Sequence, residues 1–239
     1  QVQPSSPSGQ GEVERALSTL LRAQVGVVGA GRTDTGVSAS CYVAHFDFDG
    51  PVDCRQLCYK MNAILPKAIA VHGIAPAADD FHARFGAKCR EYRYYLHRAK
   101  DPFMEGRSYY YGYPEVDFEL MNEAARLLLG THDFSCFEKT GGANKTSICT
   151  VTKAVWETYT PDHVRLMGYP AEEGDYLVFT VRADRFLRNM VRAIVGTLIE
   201  IGRGKHSPEW MEEVLQSKDR CSAGESVPGH ALFLKEVDY

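Results

Sequence analysis

Apolar positions recur along this chain with two periods, and the way they alternate predicts an α+β fold. A polar, Pro- and Gly-rich stretch opens the chain at 1–11. From Glu12 to Arg22, Val13, Ala16, Leu17, Leu20 and Leu21 fall at helical spacing. Val25-Gly26-Val27-Val28 and the run from Val37 to Phe48 read as extended segments on either side of a polar loop. Val52 to Leu65 reads as a helix closed by Pro66, and Ala68 to Ala75 as a strand. Tyr92, Tyr94 and Leu96 then alternate with Arg93 and Tyr95 at strand period. Phe118 to Leu129 is an amphipathic helix stopped by Gly130. Thr150 to Tyr159 and Tyr176 to Arg182 read as paired strands, with a polar, turn-rich stretch between them. The strongest helical pattern runs from Arg185 to Gly202, with an apolar side that includes Met190, Ile194, Leu198 and Ile201. A last helix is predicted over Pro208 to Ser217, and a strand over Ala231 to Tyr239. The irregular stretch Ala99 to Pro114 is the candidate connection between two lobes.

Composition narrows the class. The 239 residues are enough for one large domain or two small lobes, and 44% apolar with 24% charged is ordinary for a soluble globular chain. No apolar run approaches the roughly 18 residues of a membrane span, and no signal-peptide pattern opens the chain. Seven cysteines, an odd number without a Cys-x-x-Cys pair, argue against a disulfide framework or a zinc site and point to a reducing, cytoplasmic setting. His45, Asp47 and Asp49 alternate onto one strand face, but without a further ligand cluster a solvated face is the simpler reading than a metal site. The net charge of −4 does not advertise a nucleic-acid binder, so an anionic partner would need a local basic patch. A P-loop, a Gly-x-Ser-x-Gly elbow and a His-Glu-x-x-His helix are all missing.

Three stretches hold the candidate chemistry. Gly29-Ala30-Gly31-Arg32-Thr33-Asp34-Thr35-Gly36-Val37 is a glycine-bounded loop with one Arg and one Asp at its centre. Glycines let such a loop hold a side chain in a fixed, exposed pose, and an anionic carboxylate near a cation is what a carboxylate nucleophile requires. On composition alone, a hairpin turn with solvated charges is the commoner outcome. Asp79 to Leu96 is the densest mixture of aromatic and basic groups. It offers stacking faces for bases and cations for phosphates, or else a half-buried strand with Tyr on its core side. Arg185, Arg188 and Arg192, at i, i+3 and i+7, share one helical stripe that calls for an anion, either a protein carboxylate or a phosphate. Thr140 to Thr146 reads as a flexible polar loop with a single charge.

Four segments carry a resemblance: Gly31-Arg32-Thr33-Asp34-Thr35-Gly36-Val37; Phe81-His82-Ala83-Arg84-Phe85 with Arg90-Glu91-Tyr92-Arg93-Tyr94; Asn189-Met190-Val191-Arg192 through Ile194-Val195-Gly196; and Leu232-Phe233-Leu234. In this order and spacing, over essentially the whole chain, they resemble the TruA family of bacterial tRNA pseudouridine synthases. The resemblance implies an α+β fold, a mixed and largely antiparallel sheet with helices, in two related lobes divided here as 1–98 and 99–239. It implies a homodimer that isomerises uridine in the anticodon arm of tRNA without metal or organic cofactor. Asp34 would be the nucleophile, Tyr92 would stack on the uracil, Arg192 would pair with Asp34, and Arg32 would enter the RNA. Phe81, His82, Ala83, Arg84 and Phe85, and the loop Gly141, Gly142, Ala143, Asn144 and Lys145, would contact tRNA. The family's opening strand, with its Tyr-Asp-Gly and Gly-Trp-Gln segments, has no counterpart in this sequence, which is either truncated there or incompletely represented; if it is truncated, a central strand is expected to be missing. The alternative is a non-catalytic tRNA-binding or folding protein on the same scaffold, or more remotely a structural dimerisation domain.

Overall fold

The computed structural model describes residues 8–112, 114–139, 141 and 146–239. Contacts divide the chain into two units, Gln1–Arg32 with Tyr42–Ala87, and Thr33–Cys41 with Lys88–Tyr239. This division falls at 87/88 rather than between 99 and 114. Both the strand that carries Tyr92 and the loop that carries Asp34 therefore belong to the larger unit.

In the smaller unit, α1 (Gly9–Leu21) begins at Ser8, whose side chain accepts the Gly11 N–H, and α2 (Cys54–Ile64) begins at Asp53, which accepts from Gln56. Their apolar sides meet over Ala16, Leu17, Leu57 and Met61, joined by Val25, Val27 and Leu65. The extended runs are shorter than their patterns predict. The first yields only β1 (Val28–Gly29), which pairs antiparallel with β3 (Ala44–His45). Ala68–Ala75 forms no strand. There the Val71 N–H donates to Asn62 Oδ1 (2.8 Å) and the Val71 carbonyl accepts from Asn62 Nδ2 (2.7 Å). One amide side chain supplies the donor and acceptor that a neighbouring strand would have offered.

The larger unit is built on a seven-stranded sheet. Its path runs β2 (Ser38–Ala39), β9 (Leu232–Asp238), β4 (Cys89–His97), β8 (Tyr176–Ala183), β7 (Ile148–Thr158) and β6 (Gly130–Asp133), and β5 (Tyr109–Tyr110) pairs with the end of β4. The β2–β9 and β4–β5 pairs are parallel and the rest antiparallel, so the fold is α+β with a mixed, mostly antiparallel sheet, as predicted. Tyr94, Leu96, Trp156 and Phe179 pack with Met121 of α3 (Phe118–Arg126) and with Met190, Ile194 and Leu198 of α5 (Met190–Gly202), all essentially without exposure. α5 is apolar nearly all round, as a helix buried on every side must be. A Cβ on Gly202 would come within 2.6 Å of Met121 Cγ, so this glycine is what lets α3 and α5 approach so closely.

The helical stripe of three arginines is not observed. α5 starts at Met190, five residues later than its pattern predicts, because Asn189 takes a left-handed conformation (φ 67°) that a continuing helix cannot contain. Arg185 and Arg188 precede the helix, and only Arg192 lies on it. The stretch between β7 and β8 also holds a short helix, α4 (Asp162–Met167), which its polar composition conceals.

Candidate active site

The Asp34 loop is fastened at its far end by β2, whose Ser38 lies opposite Phe233 of β9. Within the loop, the Val37 N–H returns to the Asp34 carbonyl (3.1 Å), and Gly36 takes φ 84°, where a side chain would be strained. A Cβ on Gly229 would stand 2.8 Å from the Thr35 carbonyl oxygen, so a glycine is required for this loop to lie against residues 228–231. Tyr94 holds that same segment from the sheet, its hydroxyl donating to the Pro228 carbonyl (3.1 Å). Burial pushes the Tyr94 hydroxyl far above its ordinary pKa, which keeps it a neutral donor.

Across from the loop, Arg192 Nη1 donates to Asp34 Oδ2 (3.2 Å). The two side chains are 23% and 24% exposed, so the pair is partly withdrawn from water yet open to a ligand. The guanidinium is itself tethered, because Nε donates to the Val227 carbonyl (2.7 Å) while the Val227 N–H returns to the Arg192 carbonyl (3.2 Å). Backbone packed directly on backbone places Val227. A Cβ on Gly196 would overlap the Glu225 carbonyl, and one on Gly224 would reach within 2.9 Å of Thr197 Cα. Thr197 Oγ1 accepts from the Gly224 N–H (2.9 Å) and donates to the Ala193 carbonyl (2.9 Å).

Asp34 and Arg192 open into a cavity of about 660 Å³, also lined by Lys139, Arg188 and Arg220. The Lys139 N–H donates to the Arg188 carbonyl (3.0 Å), which brings these two cations together. Arg220 is held by Nη2 to Ser226 Oγ (2.9 Å) and Nη1 to the Ala223 carbonyl (3.3 Å), and Asn189 Nδ2 also donates to Ser226 Oγ (2.6 Å). Lys139, Arg220 and Ser226 carry no periodic or motif signal in the sequence, and reasoning from it missed them.

The other predicted residues are placed as follows. Tyr92 is half-buried on β4, beside a register irregularity at Glu91/Tyr92, and its ring meets Phe186 edge-on (5.0 Å, 81°). It is not one of the residues that line the cavity. Arg32 is exposed and belongs to the smaller unit. In that unit, Phe81–Phe85 forms a tight turn: His82 Nδ1 accepts the N–H groups of Arg84 (3.2 Å) and Phe85 (3.0 Å), and Ala83 is buried. Phe85 is 77% exposed, with the Arg84 guanidinium 5.5 Å from its ring centre. His45 Nδ1 accepts the Ala83 N–H (3.1 Å), and among the described residues no group of three or more His, Cys, Asp or Glu could hold a metal ion. Of the loop at 141–145, Gly141 is described with φ 85°, whereas Gly142, Ala143, Asn144 and Lys145 lie outside the described residues. No described helix is long and apolar enough to cross a membrane.

Residues 124–239 match a family described as tRNA pseudouridine synthase. The chain is 47% identical over 241 residues to tRNA pseudouridine synthase A of Parabacteroides distasonis, an alignment that covers 100% of this chain and 89% of the relative. The relative of the same name in Bacteroides thetaiotaomicron is 48% identical over 240 residues (100% and 84% covered), and that of Bacillus licheniformis 39% over 242 residues (100% and 92%). The likeness thus extends over the Asp34 loop as well as the matched C-terminal segment.

Proposed function

The chain belongs to the tRNA pseudouridine synthase A family, and we propose that it isomerises uridine to pseudouridine in the anticodon arm of tRNA with Asp34 as the nucleophile. The observation that carries this reading is the Asp34–Arg192 pair, held at 3.2 Å in a cavity whose other charged lining residues, Lys139, Arg188 and Arg220, are all cations. A carboxylate so placed serves the reaction in two ways. It is positioned to attack an electrophilic carbon, and its tethered arginine keeps it aimed while the cavity attracts a polyanion.

The chemistry is a rearrangement without net oxidation. The C1′–N1 bond breaks and its electron pair leaves with the uracil. The base turns, C5 bonds to C1′, C5 releases its proton, and N1 gains one. Asp34 takes part by attacking either C1′ of the ribose or C6 of the base. The target base must first leave its stack, at a cost of about a few kcal/mol. Tyr92 offsets this cost by stacking on the extruded uracil, with Phe186 behind it, and Arg32 by filling the vacated place. The exposed Phe85 with Arg84 offers a further stacking surface to the RNA, and the loop at 141–145 another contact. A homodimer completes the RNA cleft. Seven unpaired cysteines support a reducing, cytoplasmic setting. Reading the chain as a non-catalytic tRNA-binding scaffold leaves the pairing of Asp34 with Arg192 without a role.

The test is Asp34→Asn, with turnover and tRNA affinity measured side by side. Turnover is expected to vanish while affinity stays within about a few-fold, because the substitution removes an interaction needed only at the chemical step. A variant that retains appreciable turnover would remove Asp34 from the nucleophile's place.

A further inference from the structure

The cavity holds more positive charge than its carboxylate requires. Asp34 is answered by Arg192. Lys139, Arg188 and Arg220 line the same cavity, and none of them has a carboxylate partner among the described residues. Arg220 is already oriented by neutral partners, the Ser226 hydroxyl and the Ala223 carbonyl, which fix its guanidinium without neutralising it. Three cations converging on a concave site, one of them fixed in advance, make a seat for an anion with several oxygens.

We propose that Lys139, Arg188 and Arg220 seat one phosphodiester of the target nucleotide itself, and so act as positioning residues for the ribose. This rests on the synthase reading and adds to it. The phosphates of a nucleotide are joined to C1′ through only a few bonds. A uridine whose glycosidic centre reaches Asp34 must therefore bring a phosphodiester into the same cavity. The seat has a specific value in this reaction. Once the C1′–N1 bond is broken, the uracil must turn while C1′ stays in place to be attacked by C5. A phosphate clamp on the sugar's other end holds the ribose still during that turn, which is binding energy spent on orientation rather than on affinity alone. The three cations contact backbone and not base, so the seat reads no sequence.

The test uses an anticodon-arm RNA and takes each of its uridines in turn, modified by the wild type or not. For each, two further arms carry a neutral methylphosphonate at the linkage on the 5′ or the 3′ side of that uridine. Binding and single-turnover rates are measured for the wild type, Arg188→Gln and Arg188→Gln/Arg220→Gln. Arg188 is exposed, so the single variant keeps the test independent of any loss of folding in the double. For the wild type, the neutral linkage at one of the two positions is expected to slow turnover roughly 10-fold or more, the scale of one charge-assisted contact. For the single variant this sensitivity shrinks, and for the double variant it falls below about 2-fold, with the salt dependence of binding reduced by about one to two phosphate contacts. Equal sensitivity in the wild type and both variants, with ordinary turnover of the unmodified arm, would overturn the seat and leave the synthase reading intact. No turnover by the wild type, but a methylphosphonate penalty on binding that the variants abolish, would keep the seat and overturn the synthase reading.

Discussion

Arg192→Lys separates the charge of Arg192 from its geometry. The guanidinium makes two donations at once, Nε to the Val227 carbonyl (2.7 Å) and Nη1 to Asp34 (3.2 Å). A lysine keeps the charge but has a single ammonium on a flexible stem, and it cannot span both partners in one plane. If the ammonium stays with Asp34, the Val227 carbonyl loses its donor and the tether is gone. If it turns to Val227, Asp34 loses its orienting contact. A hydrogen bond to a charged group contributes about 1.5–3 kcal/mol. Because the pair is 23% and 24% exposed, the lower half of that range applies. That is about 1.5–2 kcal/mol, or roughly 10- to 30-fold in rate. The assay is steady-state turnover of tRNA, resolved into kcat and KM. We expect kcat to fall by that factor while KM stays within about twofold, and Arg192→Gln, which also loses the charge, to fall further. Wild-type kcat in Arg192→Lys would refute the tethered-fork argument and leave only the charge.

The remaining predictions concern the supports of the site. Gly196→Ala places a methyl group into the Glu225 carbonyl and must displace the segment that carries Val227; stability should drop by about 1–3 kcal/mol, with turnover falling alongside. Unchanged denaturation midpoint and rate would show that segment to be less closely set against α5 than described. Asp101 should shape the acid limb of stability. Burial alone would raise its pKa, but the Tyr176 hydroxyl (2.8 Å), the Phe103 N–H (2.9 Å) and His163 (2.6 Å) outweigh it and leave it lowered in the folded state. A lowered folded pKa stabilises the protein in full above pH about 4, and that contribution is lost as the pH falls through the folded value. Asp101→Asn should flatten this part of the stability curve, and an unaltered slope would contradict the assignment.

Much of the larger unit could be read from periodicity, because its strands and helices present whole apolar faces to one core. Tyr94 and Leu96 on β4, and Ile194 and Leu198 on α5, are buried as their alternation predicts. The failures have particular causes. The start of α5 was hidden because the apolar spacing runs without a break past Asn189, and nothing in that spacing reveals a left-handed residue. The segment 68–75 has strand-like composition, yet its Val71 finds its hydrogen bonds on the Asn62 side chain. The pairing of Asp34 with Arg192, 158 positions apart, could not be read from spacing, and only likeness to a family suggested it. Gly196 stood in a recognised motif, but its reason, backbone contact with Glu225, is visible only in three dimensions. Lys139, Arg220 and Ser226 carried no signal because a cavity assembled from separate loops leaves no period in the chain.

The most direct test of the central claim is release of tritium from tRNA labelled at C5 of uridine, with the wild type and Asp34→Ala assayed side by side. Forming the C1′–C5 bond expels that hydrogen, so its appearance in water reports the rearrangement itself. The structure and family predict release by the wild type and none by Asp34→Ala. Release by both proteins would show that the Asp34 loop is not where the chemistry occurs, and release by neither, with tRNA still bound, would show that this chain binds its RNA without rearranging it.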